Sequence, residues 1–360
     1  MKTLAVVCLF LCMATVSLAA EQSVTVYNGA VLTEDTTWRG SILVNGFVVV
    51  APQATLRIEP GTVVRFVVSV TGQLPNLVVQ GRLHAVGLPD RQVLFTADRA
   101  DRFKPLHSLW GGIVMLSTEK RNLLEQCRIE YAETGIDLRF STLTLKSVSI
   151  TQARTALLSH DGIVHMSNST VSDSDTGVEI NTSEFDSKDM SISSCQRGCV
   201  LHKSAAVFTS PKIMNNQKGL ESDDCRIKIT GGEFSGNTLG VQVKGGEGQI
   251  VMSRILRNSQ IGMHLVGTRI KVQRCLFSEN RQSALRTEDG QALLLNNAFV
   301  SNGGFNLYNA GHDVVSARQN WWGTTDQSLI GQKIYDAARD KNSGAVNVFP
   351  WLITMPLLMP

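Results

Sequence analysis

VSDSDTGVEINTSEFDSKDMSISSCQRGCV, which runs from Val171 to Val200, contains the pattern from which the fold can be predicted. An apolar anchor, Val171, is followed six residues later by Gly177 and then by an alternating segment, Val178-Glu179-Ile180. The same pattern returns one repeat later with Ile192 and Gly198, both shifted by an equal number of positions. Alternation with period two is typical of strands, and recurrence at a fixed spacing of this length indicates a repeat architecture.

The anchor recurs in both directions from this stretch. The anchors are Ile129, Ile150, Val171, Ile192, Ile213, Phe234, Leu256, Phe277, Phe299 and Trp321, at steps of twenty-one or twenty-two positions. A second apolar pair follows each anchor by about fourteen and sixteen residues, as in Leu143 and Leu145. Three short strands cannot close a core alone, but coils stacked ~4.8 Å apart bury one continuous apolar column. We therefore predict an all-β fold, a single-stranded parallel β-helix in which each repeat forms one coil of a solenoid.

A column of small or amide residues lies three positions after the anchors. Its members are Ala132, Ala153, Ser174, Cys195, Asn216, Asn237, Ser259, Asn280 and Asn302. Asn tolerates left-handed backbone at tight turns, and stacked amides can hydrogen-bond from coil to coil. We interpret the asparagines as an internal ladder and not as a ligand site.

The composition agrees with stacked strands and excludes several classes of protein. The chain of 360 residues is 43% hydrophobic and only 6% aromatic, which excludes general disorder. Charged residues make up 18%, below the typical ~25%, so a coiled coil or a nucleic-acid-coating protein is not indicated. The net charge of +3 gives no basis for a nucleic-acid partner.

Cysteines do not form a recognisable disulfide framework. Beyond the first twenty residues they are Cys127, Cys195, Cys199, Cys225 and Cys275, an odd and scattered set. Only Cys195 and Cys199 are close in sequence, so a bridge between them stays open. Cys127 and Cys275 share a column position but lie seven coils apart, ~34 Å at strand spacing, and cannot pair.

Four segments are predicted along the chain. Residues 1–20 are typical of a secretory signal, and no transmembrane segment follows, so we expect an exported protein, periplasmic or extracellular. Residues 21–122 are irregular opening coils, and residues 123–322 are the regular repeats. Residues 323–360 form a C-terminal cap, with a short helix from Gln327 to Arg339 and a strand around Val346 to Phe349.

Several motifs resemble those of bacterial right-handed β-helix repeat proteins of the pectate-lyase-like superfamily. They are Asp35-Thr36-Thr37-Trp38, Pro60-Gly61-Thr62-Val63, Trp110-Gly111-Gly112-Ile113 and the closing Asn320-Trp321-Trp322-Gly323. The resemblance implies a right-handed helix with a capped C-terminal end and covers nearly the whole chain after the signal. It implies no single activity, because the superfamily contains lyases, hydrolases, epimerases and proteins without a known reaction.

The outer face of one sheet is the candidate binding surface. In the pectate-lyase branch, substrate lies along the outside of one sheet, which in this chain corresponds to the strands bearing Leu143 and Leu145. The basic and imidazole side chains assigned to ligand binding there are Lys146, His165, Arg226, Lys228, Arg269 and Lys271. Such a stripe suits the carboxylates of an acidic polysaccharide, because guanidinium forks bind carboxylates through two hydrogen bonds. Solvation of an ordinary outer strand is the simpler interpretation of the same residues.

Catalysis has weaker support in the sequence. A glycoside hydrolase needs two positioned carboxylates, and a calcium-assisted lyase needs clustered oxygen ligands and a base. The face supplies one acid, Asp186, while Asp223 and Asp224 resemble an acidic pair of polygalacturonases but without its Gly-His-Gly element. If a reaction occurs, the candidate catalytic residues are Asp186, Asp223, Asp224 and Arg226.

We expect non-catalytic binding or a structural role at the cell envelope, with polysaccharide as the only ligand class indicated. The main alternative is a polysaccharide lyase or glycoside hydrolase that acts on acidic glycans. A second alternative is an accessory protein of periplasmic copper-enzyme maturation, since His165-Met166 and Met263-His264 are soft-ligand pairs. No cofactor and no metal site are predicted, and protein partners stay unknown.

Overall fold

The computed structural model describes residues 24–68, 72–98, 108–116 and 120–357. Each strand pairs in parallel with the equivalent strand of the coil before and the coil after, so this part of the chain makes about 13 turns of a solenoid. Residues that alternate inward along the strands form one continuous apolar core. The predicted secretory signal, residues 1–20, lies outside the described residues.

Sheet 1 carries the anchor residues and stacks one short strand from each coil. Its strands are the first halves of Val24–Leu32 and Ser41–Val50, then Val63–Phe66, Val93–Ala97, Cys127–Glu130, Ser149–Thr151, Thr170–Ser172, Ser191–Ser193, Lys212–Met214, Glu233–Ser235, Arg254–Leu256, Leu276–Ser278 and Ala298–Val300.

Sheet 2 follows sheet 1 in each coil, after the turn that contains the asparagine column. Its strands are the second halves of Val24–Leu32 and Ser41–Val50, then Asn76–Val79, Trp110–Leu116, Ala132–Arg139, Thr155–His160, Thr176–Asn181, Arg197–His202, Lys218–Asp223, Leu239–Lys244, the first half of Ile261–Gln273, Ser283–Gly290, Phe305–Asn309 and Ile334–Tyr335.

Sheet 3 completes each coil and bears the predicted binding face. Its strands are Thr36–Trp38, Thr55–Ile58, Arg82–Val86, Arg121–Glu125, Thr142–Lys146, Ile163–Ser167, Glu184–Lys188, Ala205–Thr209, Arg226–Thr230, Glu247–Val251, the second half of Ile261–Gln273, Leu293–Leu295, Val315–Ser316 and Val346–Asn347.

The register confirms most of the predicted anchors and corrects two of them. Phe234 pairs with Ile255, and Ile255 pairs with Phe277, so Ile255 and not Leu256 is the anchor of that coil. At the last coil the buried Trp322, rather than Trp321, stacks on Phe299 with ring centroids 4.7 Å apart. Both predictions were wrong because they assumed nearly equal spacing, whereas the last coils contain more residues between successive anchors than the earlier coils do.

The asparagine ladder exists and is fully internal, with one corrected member. The ladder position is occupied by the buried Asn258, whereas the predicted Ser259 is exposed. Asn237 donates from its backbone N–H to the Asn258 side-chain oxygen over 3.1 Å, and the Asn258 amide donates to the Asn280 oxygen over 2.8 Å. Each amide thus satisfies a buried backbone group and ties its coil to the next.

A second ladder, which was not predicted from the sequence, lies at the turn between sheet 3 and sheet 1. The Cys275 backbone N–H donates to the Asn297 side chain over 2.9 Å. The Asn297 backbone N–H donates in turn to Asn320 over 2.8 Å, and all three residues are buried. Asn320 belongs to the closing motif, so that motif also ends a ladder.

The C-terminal cap contains a shorter helix than predicted. The helix spans Gln327–Gln332 and does not reach Arg339, because the chain turns at Lys333 and adds Ile334–Tyr335 to sheet 2. The Lys333 ammonium donates to three backbone carbonyls of the last full coil, those of residues 302–304. The predicted closing strand is present as Val346–Asn347, which covers sheet 3.

All five cysteines of the described chain are free and buried, so Cys195 and Cys199 are not bridged. Burial raises the thiol pKa of Cys127 and Cys275 to about 12 and that of Cys195 to about 11. Burial raises the pKa of Cys199 as well. The cysteines therefore act as small core residues, since a thiol is reactive only when it ionises.

Candidate functional site

Strand register places the predicted basic residues side by side on the outer face of sheet 3. Arg226–Thr230 pairs with Glu247–Val251, which pairs with the second half of Ile261–Gln273. Two columns of outward residues result: Arg226, Glu247 and Arg269 in one, and Lys228, Gln249 and Lys271 in the other. Between them Ile227 and Ile270 point into the core and are buried, which fixes the direction of their neighbours.

These columns line a shallow groove of about 560 Å³, which we call the basic groove. Its outward lining consists of Arg226, Lys228, Glu247, Gln249, Arg269, Lys271, Gln291 and Leu293. Four basic side chains stand against one carboxylate, a net charge of +3 over three adjacent coils. The arginine side chains remain accessible, since Arg226 is 78% exposed.

Contacts within the basic groove pair each arginine with the coil that follows it. Arg226 Nε lies 3.6 Å from Glu247 Oε1, an exposed ion pair. Arg269 Nε donates to Gln291 Oε1 over 3.3 Å. Exposed pairs of this kind contribute about 0–1 kcal/mol, so the guanidinium groups can exchange them for a ligand at little cost.

Glycines lie beneath the middle of the groove and at its margin. Gly248 occupies an inward position at φ +149°, where an added Cβ would lie 1.8 Å from the Ile227 carbonyl oxygen. At the corner towards sheet 2, Gly246, Gly267 and Gly290 line an adjoining cavity of about 480 Å³. The accessible surface therefore continues from sheet 3 onto the corner.

A family model described as "Right handed beta helix region" matches residues 176–321, the part of the chain that carries the basic groove. The chain is a right-handed parallel β-helix protein. No curated protein matches the chain.

Two solved structures similar to this β-helix are epimerases of very low sequence identity. One is a double mutant of the periplasmic alginate epimerase AlgG, 11% identical, covering 88% of this chain and 74% of its own, with a TM-score of 0.49. Another is the A-module of mannuronan C-5 epimerase AlgE4 from Azotobacter vinelandii, 10% identical, covering 89% and 91% of the two chains, with a TM-score of 0.42. At this level the likeness concerns the fold alone.

The remaining residues predicted for ligand binding lie on the same face of the β-helix but outside the basic groove. His165 aligns three coils before Lys228, ~14 Å away, and its Nδ1 lies 3.9 Å from Asp186 Oδ2. Lys146 aligns four coils before Thr230 and lies 3.8 Å from Glu125. The predicted stripe is therefore divided into separate clusters.

Asp186 belongs to a second cavity, of about 280 Å³, further towards the N-terminus. Asp186 was the one acid predicted on this face, but Glu184 lines the same cavity two residues earlier. Ile163 and Val207 add exposed apolar surface there, and His165 completes the polar part. Counting outward positions in every strand, rather than only those around basic residues, would have found Glu184 and also Glu247.

The predicted acidic pair lies at the corner between sheets 2 and 3. Asp223 ends the strand Lys218–Asp223 and lies 3.8 Å from His202, and Asp224 turns the chain at φ 50°. Asp186 lies two coils earlier within sheet 3, so the structure does not bring the three carboxylates to one point. Asp186, Asp223 and Asp224 therefore do not form a single site of the paired carboxylates that glycoside hydrolysis requires.

Residues considered for copper lie on different faces of the β-helix. Met166 and Met263 are buried in the core, His165 is on sheet 3 and His264 is on sheet 2. His264 Nε2 lies 3.1 Å from Glu288 Oε1, and its Nδ1 contacts the Gln242 amide. Among the described residues, no group of three or more His, Cys, Asp or Glu side chains could hold a metal ion.

Electrostatics around His264 favour its neutral form. Burial lowers the pKa of His264, although the Glu288 carboxylate acts in the opposite direction. Burial opposes ionisation of Glu288, but hydrogen bonding to Arg286 and the proximity of His264 hold its carboxyl pKa below the usual range. Arg286 in turn lies 5.0 Å from the centroid of the Tyr308 ring, so this cluster is occupied by its own contacts.

Proposed function

We propose that this β-helix protein binds an acidic polysaccharide along the basic groove without transforming it. The observation that carries the proposal is the aligned pair of rows, Arg226 with Lys228 and Arg269 with Lys271, on an accessible outer face. Guanidinium groups bind carboxylates through paired hydrogen bonds, and lysines add charge without directional demands. We also propose that residues 1–20 direct export of the protein to the periplasm or the cell exterior. Such glycans occur there.

The form of the groove favours a polymer over a small metabolite. Small-molecule sites are concave and surround most of their ligand, whereas the basic groove is shallow and its charged ends are exposed. Strand stacking repeats the same outward positions at ~4.8 Å, so the surface presents one row of side chains per coil along the solenoid axis. A chain of sugars can follow that axis and make many weak contacts at once.

Binding without reaction is favoured by what lines the groove. Acid–base cleavage of a glycosidic bond needs two carboxylates placed on either side of the bond. The residues that line the basic groove supply one, Glu247, and Arg226 lies beside it.

The described part of the chain contains no helix long and apolar enough to cross a bilayer.

The test is calorimetric titration with soluble polygalacturonate at two salt concentrations. We expect binding that weakens as salt rises, and that falls at least about tenfold in Arg226→Ala/Arg269→Ala, since each charge-assisted contact contributes on the order of 1 kcal/mol. The matched control is Lys188→Ala/Lys212→Ala, which removes the same charge from exposed positions outside the groove.

Equal loss in both double variants would mean that net charge and not the groove is responsible. Absence of binding to any acidic glycan would overturn the proposal. Release of unsaturated or reducing sugar ends during incubation would show that the protein is a lyase or hydrolase instead.

A further inference from the structure

The charges of the basic groove alternate from coil to coil, and this alternation has consequences for the ligand. Three successive strands of sheet 3 contribute first Arg226 and Lys228, then Glu247 and Gln249, and finally Arg269 and Lys271. The first and third rows carry two positive charges each, and the middle row carries one negative charge. With coils ~4.8 Å apart, the two basic rows are separated by about 10 Å.

The middle row carries the one carboxylate among the residues that line the groove. Glu247 is 53% exposed and points outward between the two arginine positions. Like charges brought face to face are unfavourable, so a ligand carboxylate next to Glu247 weakens binding. Gln249, in the neighbouring column, carries no charge but offers both a hydrogen-bond donor and an acceptor.

A sugar in an extended polysaccharide advances by a length close to one coil of the solenoid. A polymer with a carboxylate on every sugar would place one of them against Glu247. A polymer with a carboxylate on every second sugar would place its acids at the basic rows and an uncharged sugar between them. Hydroxyl or acetamido groups of that sugar can donate hydrogen bonds to the Glu247 carboxylate. The Gln249 amide can donate to such groups or accept from them.

We propose that the groove selects an acidic glycan in which charged and uncharged sugars alternate. This inference rests on the proposed function, because it specifies the ligand of the same site. Val207 and Leu293 extend the column of Lys228, Gln249 and Lys271, one coil before Lys228 and one coil after Lys271. Both are exposed apolar residues, 42% and 40%, so the polar part of the groove ends at them. The distance between them, four coil spacings or ~19 Å, accommodates about four sugars.

The experiment compares two acidic ligands of equal length by calorimetry at low salt. One is a hyaluronan hexasaccharide, in which glucuronate alternates with N-acetylglucosamine, and the other is a hexagalacturonate. We expect the wild-type protein to bind the alternating ligand about fivefold more tightly, the effect of one exposed charge contact. Lengthening the hyaluronan fragment beyond six sugars should raise the affinity per site by less than about twofold.

Substitution of Glu247 tests the assigned role of the middle row. In Glu247→Gln the preference should shrink to about twofold or less, because the hexagalacturonate gains affinity when the repulsion is removed. The control is Glu279→Gln, which makes the same charge change at an exposed position outside the groove and should leave the preference unchanged.

The two proposals fail in different ways. Equal binding of both ligands, or preference for the hexagalacturonate, would overturn the alternation and leave acidic-polysaccharide binding standing. A preference that survives in Glu247→Gln would also overturn it. Binding of neither these ligands nor polygalacturonate would overturn the proposed function and this inference together.

Discussion

Asn258 and Ser259 are adjacent, but the register of the ladder predicts that replacement by alanine destabilises the protein strongly at Asn258 and hardly at all at Ser259. Asn258 is completely buried, and its side chain makes four hydrogen bonds. Its oxygen accepts from the backbone and side-chain N–H groups of Asn237, and its amide donates to Phe234 and Asn280. Ser259 is exposed at the turn that follows.

The expected cost follows from these contacts. A buried hydrogen bond contributes about 1 kcal/mol net, and a buried donor or acceptor left without a partner costs about 1–3 kcal/mol. Replacement of Asn258 by alanine removes four bonds and leaves polar groups of two neighbouring coils without partners. We therefore expect Asn258→Ala to lower the free energy of unfolding by about 4 kcal/mol, and Ser259→Ala to change it by less than about 0.5 kcal/mol.

The free energy of unfolding of both variants is measured by urea denaturation, monitored by far-ultraviolet circular dichroism. Because coils contact only their neighbours, the loss in Asn258→Ala can also appear as a broader transition, in which one part of the stack unfolds first. A loss in Ser259→Ala equal to that in Asn258→Ala would refute the register, and so would a loss below about 1 kcal/mol in Asn258→Ala.

Three further predictions concern the core, the thiols and His264 on sheet 2. Phe299→Ala, which removes the middle ring of the Phe277–Phe299–Trp322 stack, should destabilise the protein by about 3–5 kcal/mol, whereas Phe140→Ala, at a ring 63% exposed, should have little effect on the melting temperature. Cys127 and Cys275, whose pKa burial raises to about 12, should react with a thiol reagent only as the chain unfolds; rapid reaction of the native protein would contradict their burial. Burial lowers the pKa of His264 below 6.5, so its contribution to stability is present above that pH and is lost as pH falls through the lowered pKa. His264→Gln should therefore reduce the loss of stability between neutral and mildly acidic pH, as measured by urea midpoints, and an unchanged pH dependence would assign that loss to other groups.

Much of the fold could be predicted because the repeat is local and periodic. Inward residues of one strand type, such as Leu143 and Leu145, follow directly from the alternation, and both are buried. The turn residues were also identifiable, since Asn216, Asn237 and Asn280 occupy the ladder as predicted. The registers of Ile255 and Trp322 could not be predicted from the repeat, because extra residues in later turns shift the strands. Only backbone pairing shows where those extra residues lie.

The candidate site was predicted in part. Arg226, Lys228, Arg269 and Lys271 share one groove, as their spacing of two coils indicated. Glu247 was not predicted, because it lies on the coil between Arg226 and Arg269 and interrupts the pattern of basic residues. Lys146 and His165 were grouped with the groove on the basis of strand type alone, and three or four coils of intervening sequence place them elsewhere.

The architecture of this protein follows from its amino-acid sequence, because strands, turn residues and the apolar column all recur with the period of one coil. The physical reason is that each coil contacts only its neighbours, so the local pattern is also the tertiary pattern. Charge complementarity across coils depends instead on how the strands align in space. Arg226, Glu247 and Arg269 lie on three successive coils, and parallel pairing places them in one column on the outer face. Whether that face attracts an anion uniformly or at every second coil depends on this alignment, which composition and spacing of like residues do not reveal.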